Sequence, residues 1–298
     1  METNKALNIL VGLDLSEMDH YLIQYAKILD HILNVEHITF IHNLKLGELP
    51  KELIEKDQLT LIQERIKKRV EGQIALTEIS YSHEILVTVE NYSEIAFATI
   101  AKQKNYDLLV LGNKQQFTGN GALANKLIRL LPSATLLVPE TFHIPIETVI
   151  DAIDFSRYTP AIMLWADRFK NNSKGQRIQH SAVHISKSYW SYLPMMTEKE
   201  LDKISLEDIK EKEEKWNKDY AQYTDIEIVP AKNQNVAAAL IQYAKTKKAD
   251  LMILGVKGSA GIKDIILGSV ANHVLHRPTD TCLLFVKPFI GKRREERG

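Results

Sequence analysis

The residues best suited to chemistry lie in one glycine-rich segment. It runs from Gly255-Val256-Lys257-Gly258 to Gly268-Ser269 and directly follows the apolar run Leu251-Met252-Ile253-Leu254. Glycines at 255 and 258 are expected to turn with positive φ and to admit a ligand without interference from a Cβ atom. Gly268 and Ser269 open a helical pattern that continues through Val270, Val274 and Leu275. Unpaired amides and the helix dipole at such an end favour phosphate oxygens. The Ser269 hydroxyl suits either a phosphate or its own helix backbone. A tight turn with a capping serine is the competing explanation for the same residues.

Other chemistries find less support. There is no Gly-x-Ser-x-Gly elbow, Walker lysine motif, HExxH or zinc-ribbon spacing. Lys257 sits in the glycine segment without the Gly-Lys-Ser/Thr order of a P-loop. His31, His37 and His42 cluster in sequence, as do His273 and His276, but no metal-ligand spacing backs them. His273 lies one turn into the helix that starts at Ser269, within reach of a ligand or a second subunit. The single cysteine, Cys282, stands in the apolar run Cys282-Leu283-Leu284-Phe285-Val286 and reads as a buried small hydrophobe. With no general base or metal-holding carboxylate pair in evidence, binding is better supported than turnover.

The elements that must position these residues appear twice. Leu7 to Leu13 followed by Asp14-Leu15-Ser16 is echoed by Thr148 to Ile153 followed by Asp154-Phe155-Ser156. Asp107-Leu108-Leu109-Val110-Leu111-Gly112 is matched by Asp250-Leu251-Met252-Ile253-Leu254-Gly255, and Gly121-Ala122-Leu123-Ala124-Asn125 by Gly268-Ser269-Val270-Ala271-Asn272. The offset of roughly 140–147 residues indicates a domain duplication. Its seam falls near Pro139 to Pro145, giving domains 1–141 and 142–298. In the first copy, strands are expected near 7–13, 36–41, 84–89, 107–111 and 135–138, with continuous apolar runs that suit sheets covered on both faces. Met18 to Ile32 carries helical spacing with Ser16 as N-cap and Asp19 three residues on, and Thr159-Pro160 offers the equivalent start in the second copy. The expected fold is α/β: two tandem doubly wound domains, each an open five-stranded parallel sheet. The polar stretch Met196 to Tyr223 is expected to be helical, as an elongated crossover, a lid or a dimerisation arm.

Bulk properties bound the rest. The 298 residues carry 38 Lys+Arg and 38 Asp+Glu, so no global charge argues for nucleic acid or an anionic membrane. No apolar run reaches the roughly 18–20 residues of a membrane span. One cysteine excludes an intramolecular disulfide framework and fits a reducing compartment. The expectation is a soluble cytoplasmic protein, with the basic tail from Lys292 to Arg297 solvated.

The chain resembles the universal stress proteins. Nucleotide-binding members of that family carry Gly-x2-Gly-x9-Gly-(Ser/Thr) after the fourth strand, a spacing matched by Gly255, Gly258, Gly268 and Ser269. The resemblance extends to Asp154-Phe155-Ser156 and Val183-His184-Ile185 and covers the chain as a tandem pair. It implies that Asp154 and the backbone near Ile153 and Ile185 hold adenine and ribose. It implies too that Gly255, Gly258, Gly268, Ser269 and Val270 hold the phosphates, with Leu254 a further nucleotide-binding residue. Asp154 capping its own helix is the competing role. The ligand implied is ATP or another adenine nucleotide, with or without Mg2+, in a regulatory or stress-sensing module. The two copies would pack as an intrachain pseudo-dimer, their last strands or adjacent faces burying each other, with homodimerisation a further option.

The first copy departs from the pattern. Gln115 replaces the second glycine, the loop is shorter, Ala122 replaces the serine and Asn43 stands where Ile185 does. One nucleotide site per chain, in the second copy, is therefore expected. A slow ATPase or autokinase at the same site, and a nucleotide-free scaffold, are the alternatives.

Overall fold

The computed structural model describes residues 5–77, 82–114, 122–172, 177–187, 195–223, 225–231, 234–257 and 267–288. Gln115, Gly121, Gly258 and the basic tail from Lys292 onward lie outside these residues.

The first half supplies strands β1 (Leu7–Leu13), β2 (Val35–Leu44), β3 (His83–Val89), β4 (Leu108–Gly112) and β5 (Ala134–Val138). Its helices are α1 (Met18–Ile32), α2 (Lys56–Ala75), α3 (Ser93–Gln103) and α4 (Ala122–Leu130). The second half repeats the order with β6 (Thr148–Ala152), α5 (Thr159–Asn172), β7 (Gln179–Ser186), α6 (Glu198–Asp219), β8 (Ile226–Pro230), α7 (Val236–Lys247), β9 (Leu251–Gly255), α8 (Ser269–Leu275) and β10 (Cys282–Val286). The fold is α/β, with a large, mostly parallel sheet.

The strand order is β3-β2-β1-β4-β5-β10-β9-β6-β7-β8, so both halves share one ten-stranded sheet. Every pairing is parallel except β5 with β10, where Leu136 faces Leu284 antiparallel at the centre of the molecule. All five residues of each of these two strands are buried, because the strands are covered on both faces.

Alternation along the strands divides the core into two layers. Ile9, Val11 and Leu13 join α1, α2, α5 and Trp216 of α6 on one face. Leu10, Leu109 and Leu283 join α3, α4, α7 and α8 on the other. Both layers run across the seam without interruption. The seam itself is tied by Phe142, whose ring meets Tyr21 and Tyr25 edge-on at 6.3 and 5.1 Å, and by a 2.6 Å hydrogen bond from Thr141 to Asp280. Lys287, just past β10, donates to the carbonyls of Arg129 and Leu131 at the end of α4. Cations suit that end of a helix, although burial lowers the Lys287 pKa to about 8.

Sheet continuity brings one departure from internal symmetry. Val11 and Ile38 of β1 and β2 are buried apolar residues. The matching positions on β6 and β7 are Asp151 and His180, with His180 Nδ1 3.1 Å from Asp151 Oδ2 and both side chains buried. Burial raises the Asp151 pKa against the opposing effect of His180.

The 196–223 stretch is a crossover helix between β7 and β8. Its 22-residue α6 corresponds to the 20-residue α2, so the two copies differ less here than their sequences suggest. Thr197 and Glu200 form a capping box at its start. Trp216, 1% exposed, anchors it, stacked on Tyr220 at 4.9 Å.

Candidate functional site

β6 and β9 are neighbours in the sheet, and their chains leave in opposite directions, β6 toward β7 and β9 toward β10. That divergence is the switch point at which open α/β sheets take ligands. Asp154 follows β6 directly, Leu254 and Gly255 close β9, and Gly268, Ser269 and Val270 open α8. The Gly268 amide donates to the Val256 carbonyl at 2.8 Å, so both ends of the glycine segment are pinned beside β9. The Val256 amide donates in turn to Val286 of β10 at 3.1 Å. Gly258 lies outside the described residues.

Gly255 has a different reason to be glycine from the one expected. It does not occupy the left-handed region. A Cβ there would sit 2.8 Å from Tyr158 Cβ and 3.0 Å from its Cγ, so the residue lets β9 and the start of α5 approach closely. Gly112 does the same against Met18 Cγ in the first copy. Gly268 has extended backbone, with φ −61° and ψ 155°, and serves as N-cap through its carbonyl, which accepts from Asn272 at 2.8 Å. Ser269 is exposed, and its carbonyl accepts from His273 Nδ1 at 2.8 Å, which turns that ring back along α8.

The left-handed residues are elsewhere. Leu15 and Phe155, each one position after the aspartate, have φ of 62° and 55°. This turn lets Asp154 Oδ1 accept the Ser156 amide at 3.0 Å, while Ser156 Oγ accepts the Tyr158 amide at 3.1 Å. Asp154 thus shapes its own loop with one oxygen. Its other oxygen has no partner among the described residues. In the first copy Asp14 Oδ2 instead holds Lys114 Nζ at 2.5 Å, and Oδ1 holds Ser16. Burial alone would raise the Asp14 pKa, but Lys114 and Ser16 outweigh it and keep it below the usual carboxylate range.

The expected capping box at α1 is also replaced. Ser16 Oγ accepts from the Met18 amide at 3.2 Å, but Asp19 reaches past Ser16. Its carboxylate accepts the Asp14 and Leu15 amides at 3.0 and 2.9 Å, because the turn at Leu15 points both inward. Burial raises its pKa to about 6 despite those bonds.

The paired histidines are structural in both copies. His42 Nδ1 donates to the Leu13 carbonyl at 3.0 Å and His184 Nδ1 to the Ile153 carbonyl at 2.8 Å, closing adjacent strand ends. Burial lowers both pKa values, so the neutral ring is favoured. The Ile153 amide donates to Val183 at 2.8 Å, leaving its backbone saturated, and Ile185 is buried opposite Val229. The Ile153 amide is therefore already committed within the sheet. Asn43 does not place a polar group in Ile185's role. Its side chain donates to Glu90 and Ser93 and accepts from Thr88, tying β2 to the loop before α3.

Two features escaped sequence reasoning. The crossover helices reach the aspartate loops: Arg69 of α2 donates to the Leu15 carbonyl at 3.2 Å. In the second copy Trp216 meets Phe155 at 6.5 Å, and Lys212 and Lys215 stand 5.6 and 5.5 Å from its ring. The spacing of Arg69, Lys212 and Lys215 along helical patterns was readable, but not the loop they would meet. The first copy also has a cavity of about 870 Å³ at its own switch point, lined by Gly12, Asp14, Gly112, Lys114 and Ala122 and by Leu275 from α8. Three lysines lining it are paired to Asp14, Glu48 and Glu94. Among the described residues, no cluster of three or more His, Cys, Asp or Glu could hold a metal ion, and no helix is long and apolar enough to cross a membrane.

The family model of the universal stress protein family matches residues 145–285, which span β6 to β10. The chain carries a universal stress protein domain in its second half. A universal stress protein of Methanocaldococcus jannaschii is 33% identical over 91 residues, covering 30% of this chain and 49% of that relative, so the match spans about half of the relative's length. The likeness in fold covers both halves. A universal stress protein from Archaeoglobus fulgidus aligns over 96% of this chain and 100% of its own, with a TM-score of 0.65 at 15% identity. A protein of unknown function from Pseudomonas aeruginosa aligns over 96% and 94%, with a TM-score of 0.66 at 12% identity. The universal stress protein domain therefore sits in a chain whose whole length follows the fold of these solved structures.

Proposed function

We propose that the second domain, residues 142–298, binds ATP or a related adenine nucleotide and acts as a regulatory or stress-sensing module, with residues 1–141 as its degenerate partner domain. The observation that carries this reading is convergence at one switch point. Asp154 with an open oxygen, the close of β9 at Gly255 and the start of α8 at Gly268 and Ser269 all gather there. The Asp154 carboxylate would accept ribose hydroxyls, with Ile153 and Ile185 walling the base. The amides at Ser269 and Val270 would face the phosphates. Lys212 and Lys215 add positive charge beside the same loop. In the first domain, Lys114 already engages the matching Asp14, which supports a single nucleotide site per chain.

Calorimetric titration with ATP–Mg tests the assignment. Valine at both Gly268 and Ser269 should weaken binding on the order of 100-fold, about 2.7 kcal/mol, while the circular dichroism spectrum stays that of the parent protein. Equal affinity in a folded variant would overturn it.

A further inference from the structure

We propose that the second domain holds a small inorganic anion of halide size at the start of α5, in a nest made by the main-chain amides of Asp154 and Phe155 and the hydroxyl of Thr159. The first domain supplies the comparison. There the Asp19 carboxylate, 0% exposed, accepts the Asp14 and Leu15 amides. Successive amides converge in this way when one residue turns left-handed, and such nests favour negative charge.

The second domain keeps the nest and changes its occupant. Phe155 has the left-handed turn of Leu15, and Asp154 makes the same bond to Ser156 that Asp14 makes to Ser16. Five residues after the aspartate, where the first domain has Asp19, stands Thr159. It is 1% exposed, and its Oγ1 has no hydrogen-bond partner among the described residues. Neither the Asp154 nor the Phe155 amide has an acceptor among the described residues. These three donors lack a protein acceptor among the described residues, where the sister domain sets a carboxylate against the two equivalent amides.

The surrounding charge is compatible. In the first domain Arg69 stands against the same turn and offsets Asp19. In the second, Lys212 and Lys215 of α6 stand beside Phe155. Negative charge near the loop includes Asp154 itself and Asp208, which is 3.7 Å from Lys212. Tyr158, Thr159 and Ile162 beside the turn are 3%, 1% and 0% exposed, so the hydroxyl of Thr159 lies among buried side chains and favours a compact anion. A single-atom anion can accept from all three donors at once. The inference is independent of nucleotide binding.

Bromide is the probe. Crystals grown in sodium bromide should show an anomalous peak within hydrogen-bond reach of the Asp154 and Phe155 amides. Bromide should also raise the thermal midpoint by about 2–4 °C over gluconate at equal ionic strength. Thr159→Asp, which copies Asp19, should abolish both the peak and the halide-dependent shift, and Thr159→Val, which removes the hydroxyl alone, should reduce both. A water molecule in the nest with no anomalous signal would overturn the proposal. So would a halide-dependent shift that persists undiminished in the two variants.

Discussion

Replacing His180 with alanine should lower the unfolding free energy by about 3–5 kcal/mol, the cost of leaving one partner of a buried ionisable pair alone. Asp151 and His180 lie on the neighbouring strands β6 and β7, toward one edge of the sheet, 3.1 Å apart, with side-chain exposures of 2% and 8%. Without the imidazole, the Asp151 carboxylate faces a core in which burial already raises its pKa, and it must be protonated or remain uncompensated. The first domain shows what the same positions accept instead, since Val11 and Ile38 are there. The double variant Asp151→Val, His180→Ile should consequently recover most of the loss. Urea unfolding of the two single variants and the double variant measures the coupling. A His180→Ala variant within about 1 kcal/mol of wild type would show that the pair carries no such energy.

Alanine at Gly255 should cost about 2–3 kcal/mol through overpacking, and more than alanine at Gly112. Both glycines end equivalent strands beside the start of the helix that follows the neighbouring strand, α1 after β1 and α5 after β6, and a Cβ at either meets a neighbour closer than real Cβ atoms tolerate. The neighbours differ in what can yield. At Gly112 the atom is Met18 Cγ, on an unbranched side chain that can choose another rotamer. At Gly255 it is Tyr158 Cβ, fixed to the backbone of a residue only 3% exposed, with the Lys257 carbonyl 3.3 Å away on the other side. Relief there requires α5 to move from β9. Denaturant midpoints for the two variants decide the point, and equal or reversed costs would contradict the packing argument.

How much of this was legible in the sequence follows from the physics of each feature. Strands β1 and β3 to β5 coincide within a residue with the runs expected from their apolar residues, and β2 extends further at its carboxyl end. Continuous runs such as Leu108-Leu109-Val110-Leu111 announce burial on both faces. They say nothing about which strand lies alongside; that the last strands of the two copies, β5 and β10, meet was one of the two packings the resemblance implied, and their antiparallel register was not readable. The capping-box pattern at Ser16 and Asp19 misled because the left-handed residue at Leu15 carries no glycine to mark it. Gly255 was readable as special, but its reason lies in Tyr158, nearly a hundred residues distant in sequence. Asp154 stood out through the repeat and the family resemblance, and Gly268-Ser269 through its place between a strand and a helical pattern; α8 begins at Ser269. The nest around Thr159 was not, because two of its three donors are main-chain amides that every sequence possesses.

Matched substitution of the two equivalent aspartates tests the central claim most directly. Calorimetric titration with ATP–Mg should give one nucleotide per chain for the wild type and the same stoichiometry and affinity for Asp14→Ala. For Asp154→Ala, affinity should fall at least about tenfold, the worth of roughly 1.4 kcal/mol. Two nucleotides per chain, or a loss confined to the Asp14 variant, would contradict the assignment of the site to the second domain.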